Sequence, residues 1–181
     1  MEIKYRRELV NLMRELNLPL IAAECGVAEG LHSKDLLLAG IEKLYLIDVW
    51  QSMPNLIGDA SNWQNFHDRN YLLAMDFIKG YEHKTVVLKG LTSEMAKRVP
   101  DNSLGMCYLD ASHDYLSVLQ DLELYLPKIV DGGIMAGHDF LNVWDYGVNQ
   151  AVIEFAAARN YEVHTIPEDK EEDAGFYFIK K

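Results

Sequence analysis

The 181-residue chain predicts an α/β fold, a doubly wound, seven-stranded, mostly parallel sheet that ends in an antiparallel C-terminal hairpin. Three observations carry this reading. Short apolar runs alternate with amphipathic stretches of helical period, the runs end on polar residues, and the last two have no helix between them. At 49% hydrophobic, residues 1–181 fit a single domain with a substantial core.

Leu9, Leu12, Met13 and Leu16 recur at helical spacing and predict an opening helix from Lys4 to Leu16. That stripe suits a core element and a homodimer surface equally. Pro19-Leu20-Ile21-Ala22-Ala23 reads as a buried strand closing at Glu24, after which Gly26 and Gly30 bracket a tight turn. The next helix, Leu31 to Ala39, carries Ser33 and Asp35 in its first turn. A second strand, Leu44 to Val49, has Asp48 near its end. Residues 50–65 then hold Pro54, Asn55, Gly58, Asp59 and Asn62, too many breakers for a regular element and too long for a simple connection, and predict a lid.

A helix from Phe66 to Lys79 leads to the strand Thr85 to Leu88, the turn Gly90-Leu91-Thr92-Ser93 and a short helix around Glu94 to Val99. The strand Gly105 to Leu109 ends at Asp110. A helix from Tyr115 to Tyr125 stops at Pro127 because proline cannot continue it. Gly132-Gly133 introduces the strand Ile134 to Ala136, which ends at Gly137-His138-Asp139. A helix from Gly147 to Arg159 precedes two strands, Tyr161 to Ile166 and Gly175 to Ile179, joined by the acidic stretch Glu168 to Asp173, read as a solvated hairpin loop.

Ligands of such sheets lie off the carboxyl ends of the strands, and Glu24, Asp48, Asp110 and Asp139 all fall there. A ligand with a charged end and a ribose would meet bare backbone at Gly26 and a hydroxyl acceptor at Asp48. In the dinucleotide fingerprint a helix N-terminus meets a pyrophosphate, and a carboxylate in that turn would repel it. Glu24 stands where that fingerprint wants glycine. S-adenosylmethionine (SAM) has no phosphate and carries a sulfonium and an ammonium, so an acidic turn favours it over NAD. Two alternatives stay open beside a SAM-dependent transferase: an NAD-binding oxidoreductase, and a SAM-binding module without turnover. A Gly-x-x-x-Gly turn also serves simple close packing of strand on helix.

The net charge of −11 argues against a phosphate-tracking surface, so no nucleic-acid partner is expected. No apolar stretch approaches the roughly 18 residues of a membrane span and no export signal is seen, so a cytoplasmic protein without membrane contact is expected. Cys25 and Cys107 read as small buried hydrophobes rather than a disulfide or a zinc site.

With these residues in hand, the chain resembles the class I SAM-dependent methyltransferases, within them the small methyltransferase group that includes macrolide-sugar O-methyltransferases. The resemblance covers nearly the whole chain. Its most specific parts are Ala23-Glu24-Cys25-Gly26-Val27-Ala28-Glu29-Gly30, Leu46-Ile47-Asp48-Val49-Trp50, Leu109-Asp110-Ala111-Ser112-His113-Asp114-Tyr115 and Gly132-Gly133-Ile134-Met135-Ala136-Gly137-His138-Asp139-Phe140, with Tyr146 to Val152 downstream. It implies a Rossmann-like methyltransferase fold in which Glu24, Gly26 and Gly30 shape the methionine side of the pocket and Asp48 takes the ribose hydroxyls. It further implies that Gly90, Thr92 and Ser93 lie near adenine and that Asp110 sits beside the methionine end. Ser33 joins these as a cofactor-binding candidate.

The Asp110-Ala111-Ser112-His113-Asp114 and His138-Asp139 segments bring three carboxylates and two imidazoles to adjacent strand ends. Oxygen-rich sites with one imidazole accept Mg or another divalent cation, which would lower the pKa of a bound hydroxyl. The candidate ligands are Asp110, His138 and Asp139. The related sugar and catechol O-methyltransferases use acids at the Asp110 and Asp139 strand ends, and the catechol enzymes have an Asp-Asn pair where this chain has His138-Asp139. Without a metal, His113 or His138 is a candidate general base, so His113, His138 and Asp139 form the catalytic set. Capping of the helix at Tyr115 by His113 or Asp114 is the competing structural role. Trp50, Trp63, Tyr71, Phe140, Trp144 and Tyr146 read either as a stacking surface for a small hydroxyl acceptor or as the core of the lid. His32, Lys34, His67, His83 and His164 read as surface or packing residues.

Overall fold

The structure is a computed structural model that describes residues 3–53, 63–140, 147–167 and 174–181. Its strands are β1 (Ile21–Cys25), β2 (Lys43–Asp48), β3 (Thr85–Lys89), β4 (Leu104–Leu109), β5 (Ile129–Gly137), β6 (His164–Ile166) and β7 (Gly175–Ile179). Its helices are α1 (Leu9–Glu15), α2 (Leu31–Leu38), α3 (Gln64–Phe77), α4 (Thr92–Met95), α5 (Tyr115–Tyr125) and α6 (Val148–Ala158). One seven-stranded sheet, the strand number the sequence predicts, runs in the order β3-β2-β1-β4-β5-β7-β6. Strands β1 to β5 pair in parallel, and β7 runs antiparallel to both β5 and β6. The strand order reverses between β1 and β4, which opens a crevice at their carboxyl ends. No helix among the described residues is long and apolar enough to cross a membrane.

Several bounds differ from the sequence reading. The opening helix begins as a 3-10 turn, Arg6–Glu8, because the Glu8 carboxylate accepts the Lys4 and Tyr5 amides at 2.8 and 3.2 Å. Strand β5 starts at Ile129 and carries Gly132 and Gly133 within it. Its pairing with β4 shifts register between Leu104 and Met106, and a side chain at Gly133 would meet Ile129 Cγ2 at 2.4 Å, so glycine lets the strand pass. Helix α4 starts at Thr92 and is followed by a separate 3-10 turn, Ala96–Arg98. Most of the expected lid (54–62), Trp144, Tyr146 and the acidic stretch 168–173 lie outside the described residues.

The alternation of side chains along each strand sorts the core into two layers. Ala22, Leu44, Leu46, Met106, Tyr108, Ile134 and Ala136 share one cluster with Leu9, Met13, Leu36, Leu37 and Ala74 of α1, α2 and α3. Ala23, Cys25, Tyr45, Ile47, Cys107, Leu109 and Met135 share the other with Val118, Leu122, Val152 and Phe155 of α5 and α6. Burial on both faces is why the strands read as continuous apolar runs. Each large apolar side chain so enclosed contributes about 1.5–3 kcal/mol.

Backbone hydrogen bonds continue sideways past the strand ends. Gly90 N–H donates to Asp48 O (2.9 Å), Gly26 N–H to Ile47 O (2.8 Å), Asp110 N–H to Cys25 O (2.7 Å) and His138 N–H to Leu109 O (3.0 Å). This lateral ladder lines up the loops that carry the candidate site. It requires close approach at Gly26, where φ is +88° and an added Cβ would lie 1.9 Å from Asp110 O. Gly132 shares the positive φ (+80°) but has nothing within 4 Å of an added Cβ. Gly132→Ala is therefore expected to cost about 1–2 kcal/mol in urea denaturation, and Gly26→Ala more than about 3 kcal/mol. Equal midpoints for the two variants would contradict the close approach.

Candidate active site

The β1–α2 turn is held from the neighbouring strand end. Asp48 Oδ2 accepts the amides of Val27 and Ala28, both at 2.9 Å, and Oδ1 accepts that of Trp50 at 2.7 Å. Trp50 is fully buried, and its indole N–H donates back to Ala28 O at 2.9 Å. Ala28 (φ 48°) and Trp50 (φ 38°) sit in the left-handed region, a cost that persists because these bonds fix both loops together. Asp48 is thus a clamp on the glycine turn as well as the acid at the β2 end. A carboxylate offers about four acceptor positions, so roughly one is left after three amides. Gly30, at φ +83°, starts α2.

Glu24 lies under this turn, only 2% exposed, and its carboxylate accepts the Ser33 hydroxyl in a short hydrogen bond. Burial pushes the Glu24 carboxyl up to about 8, against the opposing effect of Ser33, while Asp110 and Asp48 add to the rise and Arg6 opposes it. In the free protein burial therefore favours the protonated form of Glu24. In the sheet register Glu24 faces Tyr108, whose ring packs 4.3 Å from that of His32. His32 is 5% exposed, which assigns it to packing rather than to the surface.

At the ends of β4 and β5 four side chains converge. His113 Nε2 lies 3.0 Å from Asp139 Oδ2, and His138 Nδ1 lies 3.4 Å from the same oxygen and 3.9 Å from Asp110 Oδ1. Burial raises the Asp110 carboxyl to about 6, partly offset by the His138 charge. Burial also opposes ionisation of Asp139, yet hydrogen bonds from His113 and His138 hold it well below the usual carboxylate range. His138 is raised above its ordinary value: burial works against the charged ring, but the Asp139 hydrogen bond and the Asp110 and Asp139 charges outweigh it. Asp139 adopts φ 54°, a strained setting that turns its carboxylate between the two imidazoles. Asp110, His113 and Asp139 each present a donor atom within 4.8 Å of the others. This grouping keeps two of the expected ligands, Asp110 and Asp139, with His113 in the place expected for His138.

The competing cap role falls to Asp114. Its Oδ1 accepts Ser117 N–H at 3.0 Å at the start of α5, and its Oδ2 accepts the Ser112 hydroxyl at 2.8 Å. His113 is fixed by its own carbonyl, which accepts Gly147 N–H at 2.8 Å at the head of α6. Thr92 donates its hydroxyl to the buried Asp121 at 2.7 Å, and Ser93 is half-buried beside it. Asp121, which sequence reasoning missed, lines one cleft with Asp110, His113, His138 and Asp139. Its apolar helical surroundings carried no signal of that role.

The described aromatic residues do not form one cluster. Trp50 stacks edge-on with Tyr71 at 5.2 Å within the core, Trp63 is 67% exposed, and Phe140 packs on Phe176 at 5.6 Å at the other end of the sheet. The stacking-surface reading is corrected accordingly for Trp50, whose ring is committed to holding the turn. Cys25 and Cys107 are free and buried, as expected of small hydrophobes.

The Glu24 shift has a definite sign in stability. A carboxyl raised from 4.5 to about 8 contributes stability that is fully present below about pH 4.5 and is lost as pH rises through about 8. The free wild-type protein should lose stability relative to Glu24→Gln between pH 5 and 8.5, read from urea midpoints of both proteins. A constant difference across that range would refute the buried, protonated state.

The family described as "Methyltransferase domain" matches residues 23–140, a span that holds Glu24, Asp48, Asp110, His113, His138 and Asp139. No curated protein sequence matches the chain. Solved structures share its fold. The O-methyltransferase NovP is 22% identical and aligns over 97% of this chain and 77% of its own, with a TM-score of 0.68. TomG from Streptomyces achromogenes, an O-methyltransferase of tomaymycin synthesis in complex with SAM, is 13% identical over 97% and 80%, with a TM-score of 0.68. An O-methyltransferase from Bacillus cereus in complex with SAH is 12% identical over 96% and 80%, with a TM-score of 0.69. The chain therefore belongs to the methyltransferase-domain family and has the Rossmann-like fold of the class I SAM-dependent methyltransferases.

Proposed function

We propose that this methyltransferase moves the methyl group of SAM to a hydroxyl oxygen of a small-molecule acceptor. The observation that carries the reading is the row of polar groups along the switch-point crevice: Asp48, Glu24, Asp110 and the His138-Asp139 pair, on four neighbouring strands. Family membership does not favour the NAD-dependent alternative.

In this reading the remaining acceptor position of Asp48 takes a ribose hydroxyl, and Gly26 and Gly30 give the methionine portion close access to backbone. Ser33 acts through Glu24, whose carboxyl loses its proton when a cationic ligand arrives. Asp110 faces the ligand's positive end. Ser93 lies toward the adenine, and Thr92 supports that wall through Asp121. His138 turns Nδ1 toward Asp139 and Asp110, which leaves Nε2 to take the acceptor's proton. The acceptor oxygen then bonds to the methyl carbon, the sulfur–carbon bond breaks, and its electron pair remains on sulfur. Displacement of this kind depends mainly on alignment and exclusion of water, with the base adding a smaller factor.

The donor chemistry of Asp110, His113 and Asp139, two carboxylates and an imidazole, fits a hard divalent cation such as Mg, with His138 beside them. Such a cation, when bound, would polarise the acceptor hydroxyl and lower its pKa. His113 must then release Asp139 and offer its ring nitrogen as a lone pair.

Calorimetric titration tests the reading directly. SAM should bind and NAD should not, and Asp48→Ala should weaken SAM by at least about tenfold because it removes a ribose partner and the turn clamp together. Binding of SAM at pH 7 should release protons, seen as a dependence of the heat on buffer ionisation enthalpy, and Glu24→Gln should reduce that release. Comparable binding of NAD and SAM would reject the proposal. For the cation, Mg titration should give heat in the wild type that Asp139→Ala abolishes; indifference to the substitution would reject the metal.

A further inference from the structure

Helix α5 buries Val118, Asp121, Leu122 and Tyr125, which recur at i, i+3, i+4 and i+7 as one core-facing stripe, so Asp121 puts a carboxyl where the helical period calls for an apolar side chain. It is 4% exposed. The cap of α5 is already supplied by Asp114, so Asp121 has no part in starting the helix. Its Oδ1 accepts the Thr92 hydroxyl at 2.7 Å, and Oδ2 has no partner among the described residues. A carboxylate has about four acceptor positions, of which Thr92 fills one. The tie between α4 and α5 does not call for a charge: the Tyr125 hydroxyl also holds Thr92 by donating to its carbonyl at 2.8 Å, and an uncharged amide oxygen would accept the Thr92 hydroxyl equally. A buried carboxyl with an unused oxygen calls for a further reason.

The cleft supplies one. Asp121 lines it together with Asp110, His113 and Asp139, whose side chains are 27%, 32% and 18% exposed, while Val118, Val148 and Phe176 form apolar walls. Exposure thus falls from the strand-end groups at the mouth to Asp121 at the inner end. No lysine or arginine among the described residues lines the cleft. Burial raises the Asp121 carboxyl to about 6 against the opposing Thr92 hydrogen bond, a cost that a cation beside it would offset. The interior has room for one group about the size of a water molecule. A primary ammonium has that size and brings three N–H donors, whereas an anion would meet only acids and neutral or cationic imidazoles on its way in.

We infer that the methyl acceptor is a hydroxylated primary amine, whose ammonium enters the cleft and donates to Asp121 Oδ2 while its hydroxyl stays at the mouth beside the His138-Asp139 pair. The assignment rests on the methyl-transfer reading above and names the acceptor class for it. The apolar walls receive the carbons between the two groups. The chemistry is unchanged: the acceptor oxygen bonds to the methyl carbon, sulfur keeps the electron pair of the broken bond, and the hydroxyl proton passes to His138. The amine keeps its protons, so its nitrogen has no lone pair with which to compete for the methyl group.

The probes are the linear amino alcohols from ethanolamine to aminopentanol, each beside the diol, the hydroxy acid and the trimethylammonium alcohol of the same length. They are titrated into the wild type saturated with S-adenosylhomocysteine, and binding is read from the methyl NMR signals of Val118 and Val148. At least one amino alcohol should shift both signals and bind at least about tenfold more tightly than its diol. The hydroxy acid, which is repelled, and the trimethylammonium alcohol, which is too large for the interior, should leave the signals in place. Asp121→Asn keeps an acceptor for Thr92 and should weaken the amino alcohol by roughly tenfold to hundredfold while the diol is unaffected. The comparison of amine with diol in the wild type is independent of any variant's folding. Equal binding of amine and diol, equal binding of the trimethylammonium alcohol, or no response to any probe would overturn the assignment. Binding of S-adenosylhomocysteine in that case leaves the methyl-transfer reading standing. Failure of the wild type to bind S-adenosylhomocysteine overturns both.

Discussion

Three backbone amides converge on the Asp48 carboxylate, and the shape of the crevice depends on that convergence. The β1–α2 turn contains two glycines at positive φ and an alanine in the left-handed region, a loop with little reason of its own to hold one shape. A charged acceptor at the end of the next strand supplies the reason, since hydrogen bonds to an ionised group are about twice as strong as neutral ones. Trp50 completes the arrangement by returning a hydrogen bond from its buried ring to Ala28. The same carboxylate that the sequence reading assigns to a ribose thus also holds the turn beside it.

Electrostatics along the rim are graded rather than uniformly acidic. Glu24, enclosed beneath the turn, favours its protonated form, whereas Asp139, between two imidazoles, stays ionised despite its partial burial. Asp110 lies between these extremes. The difference follows from partners: Glu24 has one hydroxyl to offset desolvation, while Asp139 has two ring nitrogens. A crevice of this kind holds a firm negative charge at Asp139 and an inducible one at Glu24. The strained backbone of Asp139 sits at the firm end.

Stability and function share residues throughout. Gly26 allows the β1 turn to cross the β4 end within contact of Asp110, and Gly147 holds the His113 carbonyl against the start of α6. Asp121 and Thr92 bind α4 to α5 while one of them lines the cleft. Because the lateral ladder joins all these loops, displacement at one strand end is felt at its neighbours, which is how a small sheet keeps four loops in register.

The sequence by itself determined the sheet and its rim. Doubly buried strands leave continuous apolar runs, turns demand glycine, and polar residues at strand ends stand out against both, so Glu24, Asp48, Asp110, His138 and Asp139 were legible from local pattern. Glu24 in the turn favoured SAM over NAD, and the resemblance to known methyltransferases added the expectation that Thr92 and Ser93 lie near adenine. Only the tertiary structure decided which partner each polar group takes. That Asp48 holds the turn, that Asp114 rather than His113 caps α5, that Asp121 joins the cleft and that His32 is buried on Tyr108 all depend on contacts between elements distant in the chain. Local periodicity fixes which face a side chain occupies, but burial, protonation and hydrogen-bond partners are set by what the opposing element brings to that face.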